Sequence, residues 1–330
     1  MKEIRLDGFM ETFKSASKIV ITNHTNPDGD AMGSALALQQ VLEKMGKEVS
    51  VVVPNPYPKF LSHLYGNDSV LIYSEGKNAG NIAIQEADMI FHLDYNAYGR
   101  TADMEQALRD AKASKTMIDH HQQPEDWTDF MYSDTDMSST CQMIYEFCDM
   151  FGWLEYLDKH SAESMYTGIV TDTGSFKYSA TTARTHEVAS KLIGLGVEPQ
   201  VLHGKIFDAQ PAARLRLLGA MLDQMQLSPS GDKVLLYLTE KQCDRIGFEK
   251  GITEGFVNYG LSIAGSKMTI FMREEKGAVK LSLRSEGQID VNQIARNGFN
   301  GGGHKNAAGG KLEMSIADAL DYAKATLVWE

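Results

Sequence analysis

His24, Asp28 and Asp30 bring one imidazole and two carboxylates together in the short stretch His24-Thr25-Asn26-Pro27-Asp28-Gly29-Asp30. The stretch directly follows the apolar run Lys18-Ile19-Val20-Ile21-Thr22 and precedes a helix-like run from Ala31 to Met45. Imidazole nitrogen mixed with carboxylate oxygen, and no thiolate, suits Mn²⁺ or Mg²⁺ and, less selectively, Zn²⁺ or Fe²⁺. Gly29 lets the backbone bend so that Asp30 aims at a second position, which reads as two ions rather than one. Helix capping by Asp28 or Asp30 would account for one carboxylate, not for two and a histidine.

Further candidates follow the same pattern. Asp94 ends the run Met89-Ile90-Phe91-His92-Leu93 and should emerge at the same sheet edge as His24, although a lone Asp after a strand also occurs in ordinary loops. Asp119-His120-His121 ends the run Thr116-Met117-Ile118. Strand alternation would send the two imidazoles in different directions, so that at most one reaches a given ion. Asp172, in Thr171-Asp172-Thr173-Gly174-Ser175-Phe176, is either a cap or a carboxylate presented by a tight loop. Finally, Asn300-Gly301-Gly302-Gly303-His304-Lys305-Asn306-Ala307-Ala308-Gly309-Gly310 reads as a glycine loop suited to close backbone approach by an anionic ligand.

The elements that must position these residues alternate. Strand-like runs at Lys18–Thr22, Glu48–Val53, Asp88–Asp94 and Lys115–His120 are separated by helical ones, the pattern of a parallel sheet covered on both faces. Helical patterns then dominate, over 138–152, 157–170 and 183–194. After Ser228-Pro229-Ser230-Gly231 the pattern changes to three strand-like runs, 233–239, 267–273 and 279–284, and a last helix over 316–328. The fold class is α/β: a parallel-sheet N-terminal domain over 1–205, a linker with its own helix over 206–230, and a smaller α/β domain over 231–330.

Composition sets limits. A chain of 330 residues, 43% hydrophobic and 23% charged, has room for two domains with buried cores. Its 44 acidic against 32 basic residues give a formal charge of −12, which argues against tracking long duplexes by a diffuse basic surface. Any nucleic-acid substrate should be short. Cys141, Cys148 and Cys243 form no CxxC pair, so neither a disulfide framework nor a zinc ribbon is indicated, and a reducing cytoplasm fits. No run of about eighteen apolar residues predicts a membrane span.

Taken in order, H-x3-D-x-D, a strand-end Asp, Asp-His-His, Thr-Asp-Thr-Gly and a C-terminal G-G-G-H-x-x-A-A-G resemble the DHH phosphoesterase superfamily with its DHH-associated C-terminal domain. Within it, length and the lack of appended modules resemble the short bacterial oligoribonuclease and 3′-phosphoadenosine 5′-phosphate (pAp) phosphatase subgroup, also labelled exopolyphosphatase-related. The resemblance implies that His24 and Asp28 hold one metal ion, that Asp30, His120 and Asp172 hold the other, and that Asp94 bridges them. It implies that His121 faces the reacting phosphate, and that Arg284, Gly301, Gly302, Gly303 and His304 bind substrate. Two divalent ions, Mn²⁺ first and Mg²⁺ next, are the expected cofactors. Short RNA and pAp are the expected substrates, with no long duplex, no membrane and a homodimer as a compatible assembly.

The competing functions are cleavage of cyclic or linear dinucleotides and a non-catalytic nucleotide-binding regulator. A regulator would be expected to lose a metal ligand, and none of these positions is lost. Pyrophosphatases of the superfamily lack the glycine-histidine segment, and its processive exonucleases are longer.

Overall fold

The computed structural model of the chain describes residues 2–208 and 211–329. The first compact unit, Met1–Ala209, is built on seven strands. These are β1 (Lys2–Arg5), β2 (Lys18–Thr22), β3 (Glu48–Val53), β4 (Leu71–Ile72), β5 (Met89–Leu93), β6 (Ser114–Asp119) and β7 (Phe130–Asp134). Their spatial order is β1-β7-β6-β5-β2-β3-β4, with every neighbouring pair parallel except β1 and β7. From β2 the chain winds outward through β3 to β4, then returns to the other side of β2 and winds through β5, β6 and β7. The reversal of winding falls between β2 and β5. In doubly wound sheets the crevice at the carboxyl ends of such a strand pair is where ligands bind.

The helices of this unit are α1 (Phe9–Ser15), α2 (Gly29–Lys44), α3 (Lys77–Glu86), α4 (Glu105–Asp110), α5 (Thr140–Met150), α6 (Lys159–Asp172), α7 (Ala183–Gly194) and α8 (Pro199–His203). Ile19 and Ile21 of β2 join one core with Phe9, Leu36 and Phe147, whereas Val20 joins Val52, Ile90, Met104 and Leu108 on the opposite face. Burial on both faces is why β2 reads as an unbroken apolar run rather than an alternating one. Helix α2 packs on α5 and α6 with no room between backbones. A methyl group added at Gly33 would lie 2.4 Å from the Ser164 carbonyl oxygen, and one at Gly168 would lie 2.1 Å from Cys141 Sγ and 2.8 Å from Asp30 Oδ1.

The second unit, Gln210–Glu330, contains β8 (Gln226–Leu227), β9 (Lys233–Leu238), β10 (Met268–Glu275), β11 (Ala278–Ser285), β12 (Gly302–His304) and β13 (Ala307–Leu312) in the order β12-β13-β11-β10-β9-β8. Only β9 and β10 pair in parallel. Its helices are α9 (Ala212–Asp223), α10 (Glu240–Ile246), α11 (Asn258–Leu261), α12 (Val291–Gly298) and α13 (Ile316–Thr326). Ile270, Leu281 and Leu283 pack against α12 and α13 through Val291, Ala295, Ala319 and Ala323. The other face carries Leu236 and Phe271 against Leu217, Met221 and Phe256.

Three features differ from the sequence reading. Residues 206–230, read as a linker, contribute to the folded units instead: α9 buries Leu217 and Met221 in the second core, and β8 extends its sheet. Within that segment, 209 and 210 lie outside the described residues. Strands β1 and β7 were not anticipated, because Lys2-Glu3-Ile4-Arg5 is a charged, largely exposed edge and β7 is short and ends in Ser133-Asp134. The glycine segment is not a loop but the hairpin β12–β13, turning at Lys305-Asn306.

Candidate metal centre

The His24 stretch leaves β2 at its carboxyl end and enters α2, and the two readings of Asp28 turn out to be compatible. Asp28 Oδ1 accepts the backbone N–H groups of Asp30 and Ala31 at 3.0 and 3.1 Å, which caps α2. Its other oxygen, Oδ2, lies 3.9 Å from His24 Nε2. Asp30 is fully enclosed and is held by the start of α5: the N–H groups of Thr140 and Cys141 donate to its Oδ2 and Oδ1 at 2.6 and 2.8 Å. An N-terminal helix turn with unused amide donors is a natural seat for a carboxylate.

Asp94 follows β5 with φ of 63°, a left-handed conformation uncommon outside glycine. Its N–H donates to the Ile118 carbonyl at 3.1 Å, which fastens the turn to β6. The carboxylate stands between two groups of ligands. Oδ2 lies 3.3 Å from His24 Nε2, while Oδ1 lies 3.6 Å from His120 Nε2 and accepts from the Thr140 hydroxyl at 3.0 Å. Such a disposition is what a bridging carboxylate needs.

His120 and His121 were expected to diverge by strand alternation, yet both approach Asp94. Strand β6 ends at Asp119, so alternation no longer applies beyond it. The rings stand 5.0 Å apart at 73°, and His121 Nδ1 lies 3.7 Å from Asp94 Oδ1. Asp119 fixes the second ring, with its Oδ1 2.7 Å from His121 Nδ1 and its Oδ2 accepting the His121 N–H at 2.9 Å.

Asp172 is the last residue of α6 rather than part of a loop, and it reaches the centre because Gly168 lets α6 run against Asp30 and Cys141. Its Oδ2 lies 3.6 Å from His120 Nε2. A carboxylate at the negative end of a helix dipole is out of place unless a cation accompanies it. Three groups thus offer ligand atoms within 4.8 Å of one another: His24, Asp28 and Asp94; Asp30, His120 and Asp172; and Asp94, His120 and His121.

The electrostatics agree with a centre made for cations. Burial, with Asp94 and Asp172 close by, pushes the Asp30 carboxyl well above the usual range. Burial also raises Asp172, to about 7, helped by Asp28 and Asp94 and opposed by His120. Burial works against a charged His120, but Asp172, Asp94, Asp30 and Asp119 outweigh it and hold the imidazolium up to about 9. His24 is raised too: burial is overcome by Asp94 and Asp28, against a smaller opposing effect of Arg100. Asp94, unlike Asp30 and Asp172, is held low, because its contacts with His24, His121 and His120 overcome burial. Protons are doing here what divalent ions do better, and the oxygen/nitrogen donor set fits two of them.

In the second unit, register places Arg284, Ala307 and His304 in one row across β11, β13 and β12, since Ala307 pairs with both. Residues in one row share a sheet face, so Arg284 and His304 flank a small residue, roughly 10 Å apart across two strand spacings. The glycines have a role that composition did not reveal. A methyl group at Gly301 would meet the Gly309 carbonyl oxygen at 1.8 Å, and one at Gly303 the Ala307 carbonyl oxygen at 2.4 Å. Both are small because of the chain's own backbone. Gly302 has nothing closer than 3.5 Å, which leaves it the more open of the three.

Sequence reasoning assigned no role to Asp119, Thr140 or Arg100. Ser138-Ser139-Thr140 before a helical run is a helix-start signal that would have exposed the amides that Asp30 uses. Asp119 stands in the Asp-His-His motif, but its hold on His121 and the place of Arg100 become visible only in three dimensions.

Fold and centre together define a two-domain, metal-dependent phosphoesterase. The model of the DHH family, N-terminal domain, matches residues 18–169, and that of the DHHA1 domain matches residues 233–328. The chain belongs to the DHH family, with a DHHA1 domain after its catalytic one. It is 30% identical over 297 residues to the bifunctional oligoribonuclease and PAP phosphatase NrnA of Thermus thermophilus, spanning 89% of this chain and 84% of that protein. The protein of the same name in Bacillus subtilis is 28% identical, over 92% of each chain. A crystal structure of an exopolyphosphatase-related protein from Bacteroides fragilis superposes with a TM-score of 0.95 at 35% identity, covering 99% of this chain and 97% of that one.

Proposed function

We propose that this protein hydrolyses short oligoribonucleotides to mononucleotides and dephosphorylates pAp to AMP, with two divalent ions, Mn²⁺ ahead of Mg²⁺. The observation that carries the reading is Asp94, whose two oxygens face two separate ligand groups at the switch point of the sheet. His24 and Asp28 would hold one ion, Asp30, His120 and Asp172 the other, and Asp94 both. Bound there, the ions would neutralise phosphate charge and activate water for in-line attack.

The chain's own residues do the rest. Asp119 orients His121, which would face the phosphate and hold a proton for the departing oxygen. Thr140 steadies Asp94, and the amides that open α5 steady Asp30. Arg284 and His304, on one face of the second sheet, would grip a phosphate or terminal nucleotide, the arginine through its planar fork. The two NrnA relatives, whose names state both activities, support this choice of substrates. The chain's negative charge suits short ones. Three buried free thiols suit a reducing cytoplasm.

The test is one assay with Mn²⁺ and five substrates side by side: pAp, pApA, five-nucleotide RNA, cyclic di-AMP and pyrophosphate. The proposal expects turnover of the first three. Preferential turnover of cyclic di-AMP or pyrophosphate, or none on any substrate, would overturn it.

A further inference from the structure

We infer that Arg100 is a phosphate-binding residue of the first domain, gripping non-bridging oxygens of the group that the His/Asp centre receives. The inference deepens the phosphoesterase reading and rests on it. Arg100 lies in the stretch Tyr98–Met104 that follows β5 and Asp94, two short helical pieces joined by a kink at Ala102. Its backbone is fixed beside the centre, because its carbonyl oxygen accepts the Thr25 N–H at 2.7 Å, next to His24. The approach to it is fastened as well. The Asn96 side chain donates to the Gln122 carbonyl at 3.0 Å, the Glu125 N–H donates to the Asn96 carbonyl at 3.0 Å, and the buried Thr101 hydroxyl donates to the Tyr98 carbonyl at 2.7 Å. The segment therefore has little freedom to carry the side chain away.

The side chain itself is half-buried, and its charge lowers the proton affinity of both His24, 3.3 Å from Asp94, and Asp119, which holds His121. Several arginines elsewhere in this acidic chain find carboxylates: Arg109 pairs with Glu105, Arg184 with Glu146 and Arg273 with Glu275, while Arg214 and Arg296 donate to carbonyl and amide oxygens. Among the described residues Arg100 pairs with none. A half-buried guanidinium without a counter-ion is costly, and divalent ions in the centre would make its surroundings more positive still. What offsets both is an anion seated between them. A phosphate ester fits, since its non-bridging oxygens match the guanidinium fork while others remain for the ions.

Manganese-loaded wild type, Arg100→Ala and Arg100→Lys are compared by calorimetric titration with inorganic phosphate, by kcat/KM on pAp and pApA, and by metal content. Loss of a charge-assisted contact predicts that Arg100→Ala binds phosphate roughly 10- to 100-fold more weakly and loses a similar factor in kcat/KM, at unchanged manganese content and Tm. Arg100→Lys keeps the charge without the fork and should fall between. Wild-type phosphate affinity in Arg100→Ala would overturn the inference, and so would a loss of manganese, which would make Arg100 a support of the centre. If Arg100→Ala fails to fold, Arg100→Gln is judged by the same readings. The titration uses no ester, so a wild type inactive on pAp and RNA would refute the proposed function while phosphate binding still decides the role of Arg100.

Discussion

At the scale of single residues, Asp94 is the point on which the proposed chemistry turns. It is 2% exposed, left-handed in backbone and shared between two ligand groups. Asp94→Ala should lower kcat by at least about three orders of magnitude, because both ions act together on one phosphate. Activity assays with parallel metal analysis check this, and near-normal turnover would refute the bridging role. The neighbouring titrations add a pH signature. Asp172 and Asp30, raised in the folded metal-free protein, bind protons that the unfolded chain has already released. The stability they contribute is present at low pH and lost as pH rises toward about 7. His120 acts in the same direction, its contribution lost as pH rises through about 9. The Tm of metal-free protein should therefore fall between roughly pH 5 and 9, and Mn²⁺ should stabilise most at the upper end. In Asp172→Asn the fall should be shallower; a Tm indifferent to pH and to Mn²⁺ would contradict this account.

At the scale of elements, the site depends on how α2, α5 and α6 meet. Gly168 is the clearest case: a methyl group there would strike Cys141 Sγ and Asp30 Oδ1. Gly168→Ala should cost about 1–3 kcal/mol of stability, the usual penalty for overpacking, and should weaken Mn²⁺ binding by displacing Asp30 from the α5 amides. Thermal melts with metal titration check it, and an unchanged affinity would show that α6 can move away freely. Such a contact explains what could and could not be read from the chain. β2 was legible with its boundaries because it is buried on both faces, and His24, Asp28, Asp30, Asp94, His120 and Asp172 could be singled out because each follows a patterned run. Thr140 and Arg100 were not, since their importance comes from contacts between segments distant in sequence. The glycine segment was misread in form, because composition alone does not distinguish backbone that closes on a ligand from backbone that closes on its own hairpin.

At the scale of the whole molecule, the proposed function would divide the work between the two compact units, chemistry in one and recognition in the other. Among the described residues, all the clustered ligand atoms belong to the first unit, whereas Arg284 and His304 belong to the second. That separation yields a kinetic prediction. If the row Arg284–Ala307–His304 binds a substrate phosphate or terminal nucleotide, Arg284→Ala should raise KM for pAp and dinucleotides and leave manganese content at the wild-type level. Losing a bidentate contact would cost roughly 2–4 kcal/mol of transition-state binding. His121→Ala, which removes a group held by Asp119 beside Asp94, should instead lower kcat chiefly. His304→Ala should follow Arg284→Ala, because the two share one sheet face. Steady-state kinetics of the three variants on pAp and pApA, with metal analysis of each, separates the roles. If Arg284→Ala and His304→Ala both leave KM and kcat unchanged, the hairpin serves the fold of its own domain, as Gly301 and Gly303 do, and recognition must reside wholly in the first unit.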